Sequence, residues 1–200
     1  MRKWFGLTAA LAVAIALPAM AQTGAVHLRG QVKSLDGDTL VITPKTGAPI
    51  IVKLSPHWLV VVVKPISADA IQPGSFIGTT EVDRPDGSGQ SLEVHVFPPG
   101  VKMGEGHYPW DLQPHSMMTN GTVGTVKAGA NGRELDVAFP SGTRHVVVPP
   151  DVPIVLMTFA PDHSLVVPGA GVFVIGAPQA DGTYTASNLT VGVNGAAPPM

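Results

Sequence analysis

The sequence repeats itself at long range, and that repeat restricts the fold more than any other feature. Pro73-Gly74 recurs as Pro168-Gly169, and the same offset of 95 residues pairs Leu40 with Leu135 and Gly47 with Gly142. It also pairs Asp86-Gly87 with Asp181-Gly182, Val94 with Leu189 and Val96 with Val191. Nearer the start the best offset is 94, which sets Val32-Lys33 on Val126-Lys127 and assigns the extra residue to the turn Gly129–Gly132. Two copies of this length are two domains or two half-barrels, and short-period solenoids are excluded.

Each copy reads as β structure. Gln31–Ser34, Leu40–Pro44, Ile50–Leu54, Trp58–Val63, Phe76–Val82 and Ser91–Phe97 are short runs rich in β-branched residues. Asp36-Gly37 and Thr46-Gly47 between them are turn pairs of the hairpin kind. The chain holds 20 Pro and 23 Gly, which interrupt it too often for long helices. Ser67–Ile71, ahead of Pro73-Gly74, has room for one short helical turn. Asp36-Gly37-Asp38 lacks the bidentate Glu of a calcium loop, and its counterpart Ala130-Asn131-Gly132 keeps only turn chemistry.

Residues 1–21 read as an address. Arg2 and Lys3 precede an apolar stretch, Gly6–Pro18, and Ala19-Met20-Ala21 has the small-x-small form of a signal-peptide cleavage site before Gln22. The apolar stretch is short for a membrane span, and no later window supplies one, so the mature chain is expected without a transmembrane segment, in the periplasm or secreted. Cleavage removes two of the 12 Lys and Arg and leaves 14 Asp and Glu. An acidic exported chain argues against nucleic acid as a partner, which needs basic patches, and leaves a periplasmic protein or a small ligand. The absence of Cys excludes disulfides, thiolate metal sites and Cys nucleophiles.

Gly30-Gln31-Val32, Leu40-Val41-Ile42, Gly47, Pro73-Gly74 and Val94-His95-Val96, with their second-copy equivalents, resemble a family of exported bacterial domains. Its members are small five- to six-stranded OB-like β-barrels, often in tandem and without a known function. The resemblance implies an all-β chain of two tandem OB-like barrels, residues 22–97 and 120–193, joined by an inter-repeat segment, 98–119, and followed by a flexible tail, 194–200. OB-like barrels host many unrelated sites, so the expected function is a non-enzymatic binding or envelope-maintenance module of unknown ligand.

Met103–Asn120 belongs to neither copy and concentrates the chemistry-bearing residue types. Gly104, Gly106, Pro109 and Pro114 are expected to prevent a regular strand or helix through Met103–Ser116. As a structured linker, the segment would plug the groove between barrels with Tyr108 and Trp110, while Asp111 and Asn120 cap turns. As a soft-metal site, Met103, His107, His115, Met117 and Met118 would ligate Cu(I) or Ag(I) beside Trp110, because thioether and imidazole suit these ions where no thiolate is available. This combination is similar to the small periplasmic copper and silver chaperones, whose W-x-x-M-x-M spacing is not kept here. As a hydrolase-like enzyme of unknown class, it would use Glu105, His107 and Asp111 for acid–base work, yet no nucleophile elbow, H-E-x-x-H or phosphate loop occurs. His27, His57, His95, His145 and His163 read as surface side chains.

Overall fold

A computed structural model describes residues 24–193 and 196–200; the signal-peptide expectation on residues 1–21 lies outside them. The described chain is all-β, with twelve strands and one 3₁₀ turn, Ala68–Ala70, whose Ser67 side chain accepts from the Asp69 amide. Among the described residues no helix is long and apolar enough to cross a membrane.

Strands β1 (Val26–Asp36), β2 (Thr39–Thr43) and β3 (Ile50–Pro65) form an antiparallel meander. β3 fuses two of the expected runs into one strand of 16 residues. β4 (Phe76–Asp83) and β5 (Gly89–Val96) form a hairpin, and the short β6 (Gly106–Pro109) follows. A second meander contains β7 (Met117–Gly129), β8 (Gly132–Phe139) and β9 (Gly142–Val148). β10 (Ile154–Phe159) then leads to a last hairpin, β11 (Gly171–Pro178) and β12 (Tyr184–Gly192).

One five-stranded mixed barrel closes, in the order β1-β2-β3-β12-β11, and seven further strands flank it. Its closing seams are β1 against β11, antiparallel, and β12 against β3, parallel over eight residue pairs. The expected two barrels in tandem, 22–97 and 120–193, are therefore not what the chain builds. The barrel takes its meander from the first copy and its hairpin from the second. The first copy's own hairpin, β4–β5, pairs with β7 of the second copy. Because the copies are equivalent, either hairpin fits either meander.

Registers match across the exchange. Ile77↔Val96 corresponds to Val172↔Val191, Ile77↔Gly121 to Val172↔Gly30, and Gly89↔Val146 to Tyr184↔Val52. Pro73-Gly74 and Pro168-Gly169 occupy equivalent loops. The Gly74 amide donates to the Val123 carbonyl at 2.7 Å, as Gly169 does to Val32 at 2.8 Å, and both glycines have positive φ. β10 corresponds to the far half of β3 and pairs with it antiparallel, so that Val63 faces its own equivalent, Met157. An approximate two-fold axis passes there, as in an isologous dimer interface.

Two registers differ from the sequence alignment. The bulge after Val32 corresponds to the bulge after Val123, so Gly30-Gln31-Val32 matches Gly121-Thr122-Val123 and not Gly124-Thr125-Val126. β7 contains two consecutive Gly-Thr-Val triplets, and sequence alone favours the wrong one. The four surplus residues lengthen the β7–β8 hairpin by two pairs. Residues Gly106–Pro109, expected to be irregular, form a strand that pairs only with β7, where an edge tolerates proline.

Three apolar clusters carry the fold. Leu28, Val32, Leu40, Ile42, Val52, Trp58, Val60, Leu189 and Val191 fill the barrel. Ile77, Val94, Val96, Val123, Leu135, Val137 and Val146 fill the space inside the second meander and its hairpin. Met118, Val63, Val155, Phe173 and Met200 pack between them with Tyr108, Trp110 and Met157. Met200 is 4% exposed and lies in the third cluster.

Gly30 and Gly121 allow the meanders to close. A Cβ on Gly30 would lie 2.3 Å from the Thr43 carbonyl oxygen, and one on Gly121 2.4 Å from that of Ala138. Gly30→Ala and Gly121→Ala should each lose on the order of 1–3 kcal/mol in urea unfolding, the usual cost of overpacking, while Gly24→Ala, with open space around it, stays near wild type. Free tolerance of either substitution would contradict the register.

Candidate functional site beside the central segment

Strands β4, β5 and β7 bury a cluster of polar and charged side chains, where the opposite copy buries a polar side chain only at Thr190 among the equivalents of Glu81, Glu93 and His95. Thr79, Thr80, Glu81, Glu93 and Thr119 are 0% exposed, and Ser91, His95 and Asn120 are nearly as buried. At the pairwise equivalents of Glu81, Glu93 and His95 stand Gly176, Asn188 and Thr190. Two glycines make room for the cluster. A Cβ on Gly78 would fall 2.0 Å from His95 Nε2 and 2.1 Å from Asn120 Oδ1, and one on Gly89 1.6 Å from Glu81 Oε2. The equivalent of Gly78 is Phe173, so one copy has a polar group in the space that the other fills with a ring.

The first network centres on Glu81. Its Oε1 accepts from Thr119 Oγ1 at 2.9 Å and from Arg144 Nε at 2.8 Å, whereas its Oε2 is buried without a partner. Arg144 also donates to Asp83 Oδ1 and to the Gly87 carbonyl. Thr119 donates its one hydroxyl proton to Glu81, so His107 Nδ1, 2.8 Å from that hydroxyl, must be the donor of its pair. Burial raises the Glu81 pKa above the ordinary carboxylate value and outweighs the opposing pull of the Arg144 cation. Burial, helped by that cation, holds the His107 pKa below its ordinary value, against a smaller contrary effect of Asp83.

A second network centres on Glu93. Its Oε1 accepts from the Thr80 amide and hydroxyl, both at 2.8 Å, and its Oε2 lies 3.1 Å from His95 Nδ1. Asn120 Nδ2 donates to the Gly104 carbonyl at 2.9 Å and to the Tyr108 hydroxyl at 2.7 Å. These two bonds orient the amide and leave Oδ1 buried and unpaired beside His95. Burial raises the Tyr108 pKa, with Asn120 opposing. The cluster can hold two carboxylates out of water and tie β6 to β7. Of the serines in and beside it, Ser91 bonds to Thr79 and the Glu93 carbonyl, and Ser116 to the carbonyls of Trp110 and Gln113.

The residues singled out in the sequence fall into different surroundings. His107 and Tyr108 lie in β6 and belong to these networks. The Trp110 ring lies 4.0 Å from His27, tilted by 35°, and near Phe173, with its Nε1 buried and unpaired. Asp111 accepts from both Arg29 amino nitrogens and lies 2.7 Å from His27 Nδ1. Met118 is buried in the third cluster, and Met117 is half-buried between Pro109 and Glu81. Met103, Glu105 and His115 are exposed, His115 on a turn with φ of 63°. Asn120 caps no turn but sits within β7. Among the described residues no group of three His, Asp or Glu is arranged to hold a metal ion.

Sequence reasoning missed Glu81, Glu93, Arg144 and His95, the last of which is 4% exposed and not a surface side chain. For the residues of the β4–β5 hairpin the reason is the register shift at Thr80 and Glu81, which breaks the alternation by which a strand's outward positions are recognised. The signal available was their absence from the other copy.

The two pKa shifts act in opposite pH windows. A raised Glu81 pKa contributes stability that is present below about pH 4.3, the ordinary Glu value, and is lost as pH rises through the shifted value. A lowered His107 pKa contributes stability present above about pH 6.5 and lost as pH falls toward the shifted value. Glu81→Gln should therefore stay within about 1 kcal/mol of wild type at pH 7, since an amide oxygen still accepts from Thr119 and Arg144, and should flatten the curve above pH 4.3. His107→Gln should flatten it below pH 6.5. Urea unfolding across pH 4–8 checks both; a loss of several kcal/mol in Glu81→Gln at pH 7 would show that the ion pair with Arg144 outweighs burial.

Compared with family models, curated proteins and solved structures, the chain matches none of them.

Proposed function

We propose that this chain is an exported, non-enzymatic binding or envelope-maintenance module of OB-like type, in which two barrel-like units have exchanged their final hairpins. The strand order 1-2-3-5-4, with one parallel seam between the third and fifth strands, supports the OB-like reading. The observation that carries the non-enzymatic part is how the central segment is used. His107, Tyr108, Trp110 and Asp111 are all engaged by other parts of the chain, and neither nearby serine is paired with a base. The segment is then a packed strap between the copies, with Trp110 and Tyr108 filling the groove.

One observation favours the soft-metal reading as the alternative. Met118, Met157 and Met200 belong to a single apolar cluster with Trp110 and Tyr108. Thioethers there would prefer Cu(I) or Ag(I) to Zn(II), although this set keeps only Met118 of the Met103, His107, His115, Met117 and Met118 that the sequence suggested.

Recovery of the protein from its native envelope fraction tests both readings. A chain beginning at Gln22, released with the periplasmic contents and free of stoichiometric copper or silver, is the expected result. Retention of residues 1–21 in a cytoplasmic protein would overturn the exported reading. One equivalent of Cu(I), lost on Met118→Leu, would promote the metal reading over the binding module.

A further inference from the structure

The two copies agree strand by strand, so the places where they part are informative, and three departures converge on one cleft. The β7–β8 hairpin is longer than β1–β2 by two pairs. β9 ends at Val148 and Pro149-Pro150 turns the chain away, whereas the corresponding seam strand, β3, continues to Pro65. The parallel seam of eight pairs in the barrel is accordingly reduced to Gly89↔Val146 and Gln90↔Val147 before β10 resumes it at Val94. Thirdly, Arg84 stands where the other copy has Gln179, and Gln90 where it has Thr185.

In the barrel these last two positions close the mouth. The Gln179 side-chain amide donates to Thr185 Oγ1 and to the Ala177 carbonyl, both at 3.1 Å. At the equivalent place a cleft of about 520 Å³ opens between Arg84, Gln90, Asn131, Gly132, Pro149 and Pro150. Arg84 Nε is buried without a hydrogen-bond partner. Arg84 Nε forms a surface ion pair with Asp86 Oδ2 at 3.5 Å, while Asp86 Oδ1 is committed to the Ser88 amide and hydroxyl, so the rest of the guanidinium fork stays available to a ligand.

We propose that this cleft binds a sugar-sized ligand carrying one anionic group, an assignment that rests on the binding-module reading and names its ligand class. The volume lies in the range of small-molecule sites. Arg84 is the single charged side chain of the wall, and a guanidinium pairs with carboxylate or phosphate through a two-pronged fork. Gln90 and Asn131 add side-chain amides suited to hydroxyl groups, which donate and accept in turn. Two proline rings are the main apolar surface, too little for a lipid chain, and one cation is too few for a polyphosphate or nucleic-acid backbone.

Titration of the ¹⁵N-labelled mature chain with glucuronate, glucose 6-phosphate and glucose tests the assignment. Saturable amide shifts confined to Arg84, Gln90, Asn131 and Gly132 are expected with at least one of the two anions, and whichever binds tighter identifies carboxylate or phosphate as the recognised group. Glucose should bind about tenfold more weakly or worse. Arg84→Gln and Asn131→Asp should each weaken the anion about tenfold, with unchanged strand amide shifts showing that the fold is intact. No saturable shift from either anion up to about 10 mM, equal binding of glucose, or an unaffected Arg84→Gln would overturn the proposal. Failure here leaves the export result untouched, so the two are separable.

Discussion

One strand ties the molecule together. Along Ile50–Pro65 the chain pairs first with β2, then in parallel with β12, and finally with β10 across the approximate two-fold axis at Val63 and Met157. Its inward residues Val52, Leu54, Trp58, Val60 and Val62 lie in the barrel cluster, and Val63 in the cluster between the copies. Each such side chain contributes roughly 1.5–3 kcal/mol on burial, so this strand alone anchors two of the three cores. Because the hairpin that completes each meander comes from the other copy, both the barrel core and the second core draw residues from both copies.

That dependence explains where polar groups are tolerated. The β4–β5 hairpin must reach across to β7, and the bulged stretch around Glu81 and Leu92 is where it does so beside the β6 strap. Glu93 is buried there with bonds to both carboxylate oxygens, and Glu81 with two bonds to Oε1 alone, which offsets part of the cost of removing each carboxylate from water. Arg144 and Asp83 extend the first network to the surface. Buried polar networks of this kind add less to stability than to register, since a slipped β4 would part Glu93 from Thr80 and a slipped β7 would part Glu81 from Thr119. The open cleft at Arg84 lies on the same hairpin, so the second copy has relinquished a closed seam where the barrel keeps one.

Much of this was legible in the sequence. The offset of 95 holds for the whole final hairpin, from Gly89 and Tyr184 to Val96 and Val191. The turn at Asp36-Gly37 and the paired Pro-Gly loops behave as their residue types require. The exchange was not legible, for a physical reason: Ile77 can face Gly30 or Gly121, and Val172 either of the same two, with the same apolar pattern in each case. Local sequence is blind to that choice. The β7 register was obscured by its doubled Gly-Thr-Val. His107, Tyr108 and Trp110 were correctly seen as ordered; His95, read as a surface side chain, is buried, and Glu93 was not singled out because the register shift opposite Thr80 and Glu81 breaks the alternation of the hairpin.

The exchange is also the claim most directly open to measurement. In an antiparallel pair, facing residues come close enough for strong proton–proton nuclear Overhauser effects between strands. Exchanged hairpins place Ile77 against Gly121 and Val172 against Gly30, and the spectrum should show those cross-peaks, together with Met157 to Val63 across the two-fold axis. Cross-peaks from Ile77 to Gly30 and from Val172 to Gly121 would instead describe two self-contained barrels in tandem, and would contradict the account.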